Sequence, residues 1–173
     1  YSRQDKKGRG REPISGRLVA DLWKAAGADR IMSVDLHAAQ IQGFFDGPVD
    51  HLFAKPVLLE YFERTLSAED RADLTVVSPD TGRVRVADTW SDSLGAPLAI
   101  IHKRRDPNVA NQITVNEIVG HVDGRVCLLV DDMIDTAGTL VKAAQALKKS
   151  GAKKVIVAAT HAIFSDPAAE RLQ

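Results

Sequence analysis

The chain has 173 residues, of which 45% are apolar and 27% charged, enough to bury the core of one large or two small domains. Lysine plus arginine equals aspartate plus glutamate, at 23 each, so no global field recruits nucleic acid or an anionic membrane. No apolar run approaches the length of a membrane span. The single cysteine, Cys127, excludes an internal disulfide and fits a reducing compartment, so a cytoplasmic location is expected.

Strand and helix patterns alternate. Pro13 suits the first turn of a helix, and Leu18, Val19, Leu22, Trp23 and Ala26 follow at helical spacing until Gly27 ends it. Residues 30–35 read as a strand and 56–66 as an amphipathic helix. Residues 74–78 form a strand, 83–94 a helix and 97–102 a strand. A polar loop leads to a short strand at 113–119. Residues 126–130 are a strand and 140–149 its helix, closed by Ser150-Gly151. Residues 154–160 are another strand, and 167–173 the first turn of a helix. Such alternation predicts an α/β fold of parallel strands flanked by helices, with ligands gathering at the strands' carboxyl ends. Asp35, His37, Asp80, Lys103, Asp131 and His161 all fall there. The Gly- and Pro-containing stretch 46–56 is either a domain break or a long loop.

The most informative segment is VCLLVDDMIDTAGTLV, residues 126–141. An apolar strand ends in Asp131 and Asp132. A compact turn of Asp135, Thr136, Ala137, Gly138 and Thr139 then opens a helix. Unpaired amides and the helix dipole make that terminus a phosphate site without a lysine. The two acids would repel phosphate, so they suit sugar hydroxyls or a metal instead. The plainer alternative is that they cap the helix.

Other residues invite a similar choice. Residues 1–17 carry Arg3, Lys6, Lys7, Arg9, Arg11 and Arg17, and 103–105 read Lys-Arg-Arg. Local basic clusters in a neutral chain suit a small polyanion. Arg3 can grip phosphate or stack on a purine, and Gln4 can read a base edge. Otherwise this segment is a solvated tail. His37 by its chemistry is a structural histidine, because a hard cation prefers oxygen. His51 is structural too. Asp80, beside Gly82 after an apolar strand, could cap the next helix. Lys103, Arg104 and Arg105 are either soluble surface or a clamp on a transferring phosphoryl group.

These motifs together resemble one family. YSRQDKK…REPIS (1–15), SVDLHAAQIQGFFDGPVDHL (33–52), VVSPDTGRVRVADTW (76–90), PLAIIHKRRDPNVANQ (97–112), VDDMIDTAGT (130–139) and VAATHAIFSDPA (157–168) are similar to segments of the ribose-phosphate pyrophosphokinases. The resemblance spans essentially the whole chain. It implies a type I phosphoribosyltransferase-like fold in two tandem, similar domains. Residues 1–53 would be the second half of the first, on the ATP side, and 54–173 most of the second, on the ribose 5-phosphate side. The chain would thus be an internal piece of a longer polypeptide.

The implied reaction transfers the diphosphoryl group of ATP to the anomeric hydroxyl of ribose 5-phosphate. Its products, phosphoribosyl diphosphate and AMP, serve nucleotide, histidine and tryptophan synthesis. In that reading Arg3 and Gln4 contact ATP, and His37 and Asp80 are ligands to magnesium. Lys103 and Arg105 are catalytic. Arg105, Asp131, Asp132, Asp135, Thr136, Ala137, Gly138 and Thr139 bind ribose 5-phosphate. The expected assembly is a homo-oligomer, hexameric in the family. A phosphoribosyltransferase and a non-catalytic regulatory subunit are the alternatives. Two departures stand out. Ala137 replaces a frequent glycine, which is harmless if its φ is negative, and Arg83 replaces one of two glycines that follow the acid at 80.

Overall fold

A computed structural model describes residues 1–8, 10–105 and 114–173, with the side chains of 103–105 and 114–116 left out. The chain divides into two compact units, Tyr1–Ala54 and Lys55–Gln173.

In the first unit, α1 (Ser15–Ala25) is followed by β1 (Ile31–Val34), a 3-10 segment at Ala39–Phe44 and β2 (Val49–Leu52). β1 and β2 pair in parallel, Ile31 opposite Val49 through Val34 opposite Leu52. The stretch 46–56, read from sequence as a break or loop, contains the boundary between the two units after Ala54 and also contributes a strand, β2. Its Gly and Pro residues punctuate the start of β2 rather than prevent it. α1 starts two residues after Pro13, and Gly27 terminates it at φ +96. Burial here is thin: Ala20 and Phe45 are buried, while Leu18, Leu22 and Trp23 stay exposed.

The second unit is built on five strands in the order β5-β4-β3-β6-β7. These are β3 (Leu74–Ser78), β4 (Leu98–Arg105), β5 (Thr114–Val119), β6 (Val126–Ile134) and β7 (Lys154–Ala162). β3 pairs in parallel with β4 and β6, and β6 with β7. β5 departs from the all-parallel expectation and runs antiparallel to β4 from Ile100–Val119 to Arg105–Thr114. The reason is topological: the eight residues between Arg105 and Thr114 are too few for the crossover a parallel return needs, so the chain comes back antiparallel.

Helices cover both faces. α2 (Lys55–Thr65) and α4 (Val84–Leu94) pack Phe62, Ala87 and Trp90 against Leu74, Val76, Val126, Leu128 and Val130. α5 (Gly138–Lys149) packs Ala143 and Leu147 against Val77, Ala99, Ile101, Cys127 and Leu129. β6 therefore divides its side chains between two cores with period 2 and reads as one continuous apolar run. Cys127 is fully buried in the second core, where desolvation pushes its thiol up to about 11. It packs as a small hydrophobe. Short α3 (Ala68–Ala72), capped by Ser67 accepting from the Asp70 amide, and terminal α6 (Ala168–Leu172) complete the unit.

Candidate functional site: a carboxylate pair beside an amide turn

Register levels the strand ends. Val77 lies beside both Ala99 and Leu129, so Ser78, Ile100 and Val130 end the common part of the sheet. Asp80 follows two residues after β3, and Asp131 and Asp132 follow immediately on the adjacent β6. β6 runs four residues beyond the predicted strand, to Ile134, because β7 accompanies it through the Met133–His161 and Ile134–Ala162 pairs. The two acids are thus held on a paired strand rather than on a loose turn.

Beyond them the chain turns sharply into α5. Ala137 is the residue before the helix and sits at φ 60, ψ −1. The condition set for a harmless alanine, a negative φ, is not met. The backbone must reverse within three residues of the strand end, and the left-handed conformation does this most tightly. Alanine there carries strain of about 1–2 kcal/mol that glycine would not, and its methyl is buried at 5% exposure.

Among the described residues, no hydrogen bond is donated by the amides of Thr136, Ala137, Gly138 or Thr139. Thr136 and Thr139 are exposed. A run of uncommitted donors at a helix start has the electrostatics of an anion cradle. Gly138 keeps the turn narrow. A Cβ there would lie 3.2 Å from Nη1 of Arg171, whose guanidinium donates to the Thr136 carbonyl at 2.9 Å.

The acids are not solvated caps. Asp132 has 7% and Asp131 18% side-chain exposure. Arg83, itself 15% exposed, reaches both, with Nε 3.4 Å from Asp131 Oδ1 and Nη2 2.5 Å from Asp132 Oδ1. Asp131 Oδ1 also accepts from the Asp132 amide at 2.9 Å. Burial pushes the Asp131 carboxyl up to about 7, with the neighbouring Asp132 carboxyl adding to the rise and Arg83 opposing it. Asp80 Oδ1 accepts from the Gly82 and Arg83 amides at 2.8 and 3.1 Å. It therefore does serve as a cap for the 3-10 turn Thr81–Arg83, with Oδ2 uncommitted among the described residues.

The second unit brings together Asp80, Asp131, Asp132 and the 135–139 turn. The Lys103 and Arg105 backbones lie on β4, opposite Asn116 and Thr114, but their side chains fall outside the described ones. In the first unit, His37 follows β1 in a half-buried bend. Asp35 Oδ2 accepts from the Ala54 amide at 3.2 Å. His51 accepts from the Leu36 amide through Nε2 at 3.0 Å and stacks near Phe53, a structural duty. Arg3 and Gln4 are exposed, and the Gln4 carbonyl accepts from the Gly16 amide at 3.0 Å. Two arginines escaped assignment from sequence. Arg83 was legible as a long cation where glycine is usual. Arg171 left no local signal, since its contact spans 35 residues.

The phosphoribosyl transferase domain family matches residues 58–172, the span holding the sheet, the acid pair and the turn. The chain belongs to that family. It is 68% identical over its whole length to the ribose-phosphate pyrophosphokinase of Streptomyces coelicolor, of which it covers 52%. It is 60% identical over 99% of its length to that of Mycobacterium leprae, again covering 52%. It spans about half the length of the curated relatives it matches. Phosphoribosylpyrophosphate synthetase from Mycobacterium smegmatis superposes with a TM-score of 0.88 at 60% identity, over 99% of this chain and 54% of that one. A purine phosphoribosyltransferase from Pyrococcus horikoshii shares the fold, with a TM-score of 0.51 at 21% identity over 80% of this chain and 82% of that one. The phosphoribosyl transferase domain is thus an α/β sheet that carries its candidate site on the β6–α5 turn.

Two consequences can be measured. Asp131 has a folded pKa near 7 against an ordinary 3.8. Between those values the native state holds more protons than the unfolded state, so stability falls as pH rises through the window. Asp131→Asn should flatten that fall when melting temperatures are compared from pH 4 to pH 8. Ala137→Val places a β-branched residue in a tight left-handed position. It should cost at least about 2 kcal/mol in urea unfolding, from strain and overpacking together.

Proposed function

We propose that the protein to which this chain belongs transfers the diphosphoryl group of ATP to the anomeric hydroxyl of ribose 5-phosphate. The products are phosphoribosyl diphosphate and AMP, precursors for nucleotide, histidine and tryptophan synthesis, made in the cytoplasm. One observation carries the reading: four amides at a helix start that are uncommitted among the described residues, flanked by two oriented carboxylates. The first feature suits a phosphate monoester and the second the hydroxyls of a pentose. The whole-length similarity to ribose-phosphate pyrophosphokinases supports the same conclusion.

The residues divide the work. The amides of 136–139 bind the 5-phosphate, with Asp135 at the entrance of the turn, and Asp131 and Asp132 accept from the ribose hydroxyls. Arg3 and Gln4 bind ATP. Lys103 and Arg105 balance the negative charge that builds on the diphosphoryl group in transit, Arg105 also contacting ribose 5-phosphate. Phosphoryl transfer depends mainly on positioning and electrostatics, so no strong general base is assigned.

Asp80 would be a magnesium ligand in the second unit, and His37 one in the first. Among the described residues no three His, Cys, Asp or Glu side chains converge into a metal-binding group. Magnesium needs none, since it binds through one or two carboxylates together with substrate phosphates and water. Asp80 Oδ2, uncommitted among the described residues at the carboxyl end of β3, fits that open mode. When bound, the ion would draw charge from the phosphate oxygens.

The proposed assembly is a homo-oligomer of two tandem phosphoribosyltransferase-like domains. Residues 1–53 lie in the first and 54–173 in the second.

Incubating the full-length protein with ribose 5-phosphate and Mg-ATP should release AMP in step with phosphoribosyl diphosphate. Release of ADP, or of no nucleotide, would refute the diphosphoryl transfer. Within that assay, Lys103→Ala should lower kcat far more than it weakens ribose 5-phosphate binding. Equal losses would remove its transition-state role, because only differential stabilisation raises kcat.

A further inference from the structure

Arg83 is the one departure from the family pattern that the proposed chemistry leaves without a task. It stands where a glycine is usual, yet it is largely buried at 15% side-chain exposure. Its backbone and its side chain both face the site. The amide donates to Asp80 Oδ1 at 3.1 Å, while the guanidinium approaches Asp131 Oδ1 at 3.4 Å and Asp132 Oδ1 at 2.5 Å. A single residue therefore connects the carboxylate after β3 to the pair on β6.

Consecutive buried carboxylates repel one another, and without a cation they would rotate apart or give up a charge. A guanidinium is planar and presents several donors in a fixed fork, so it can engage two carboxylates at defined angles. The turn that binds phosphate has a different origin. Its donors are main-chain amides, set by the left-handed Ala137 and the start of α5.

We infer that Arg83 is a positioning residue for the sugar. It clamps Asp131 and Asp132 through their Oδ1 atoms and so aims the pair at the pentose hydroxyls, while the phosphate cradle works without it. This role rests on the pentose-phosphate reading above. It divides affinity into two parts: one for the phosphate, owed to backbone, and one for the sugar, owed to acids that Arg83 holds.

The two parts separate by measuring dissociation constants for ribose 5-phosphate and for inorganic phosphate on the same protein. The unsubstituted chain should prefer ribose 5-phosphate. Arg83→Met should shrink that preference by roughly tenfold or more, with phosphate affinity nearly unchanged. A merely structural role would weaken both ligands alike. Combining Arg83→Met with Asp131→Asn should cost less than the sum of the two changes, because they remove one shared interaction. Should Arg83→Met fail to fold, Arg83→Lys serves in its place, since an ammonium cannot reproduce the fork. A several-fold smaller preference is then expected. A preference that survives in the folded variant overturns the role of Arg83 alone. Equal affinity for both ligands in the unsubstituted chain overturns the pentose reading, and this inference with it.

Discussion

Two carboxylates on consecutive residues, at the end of a buried strand, are an electrostatic problem that the surrounding structure must solve. Asp131 and Asp132 are nearly enclosed, and enclosure favours the neutral acid. The Asp131 carboxyl is accordingly raised to about 7. The guanidinium of Arg83 is what keeps the pair compatible with its surroundings. Such an arrangement adds little net stability, because desolvating three charged groups offsets most of the attraction between them. It is better understood as a device for holding direction. Carboxylates fixed in direction can read hydroxyl groups, which mobile ones cannot do without an entropic cost.

The sheet makes this arrangement possible. β6 is central, with β3 on one side and β7 on the other, and it buries apolar side chains on both faces. A strand anchored in that way cannot slip by one residue without exchanging its two cores. Register therefore fixes the acids and the turn behind them to within the precision of the packing. The strain at Ala137 is sustained by the same anchoring, since a local left-handed alanine persists only where its surroundings over-determine it. Arg171, through the Thr136 carbonyl, ties the turn to α6.

The two units differ in how much of their structure they support themselves. The five-stranded unit has two cores built from side chains nearly all excluded from water. The first unit has a two-stranded sheet and leaves Leu18, Leu22, Trp23 and Met32 exposed. Two paired strands are marginal unless further packing supports them, and few buried side chains supply it here. Residues proposed for ATP and magnesium, Arg3, Gln4 and His37, lie in this thinner unit.

Much of this was legible in the residues. Leu74–Ser78 was read with the bounds it has, and the helices of α4 and α5 were located to within two residues, because strict apolar periodicity and terminal glycines are local signals. The amide turn was legible too, since a strand, small residues and a helix in succession leave no other outcome for the backbone donors. What stayed hidden depends on contacts between distant segments. β2 forms because β1 offers it a partner, not because 46–56 favours a strand. β6 extends past Val130 because β7 runs alongside. The sign of φ at Ala137 is set by where β6 and α5 must lie, which alanine's own preference would oppose. Arg83 was visible as an odd residue, but its partners lie about fifty positions away. Sequence, then, determined the chemistry that was present and the elements that carry it. Tertiary structure decided which charges meet, because electrostatic pairing depends on distance in space and not along the chain.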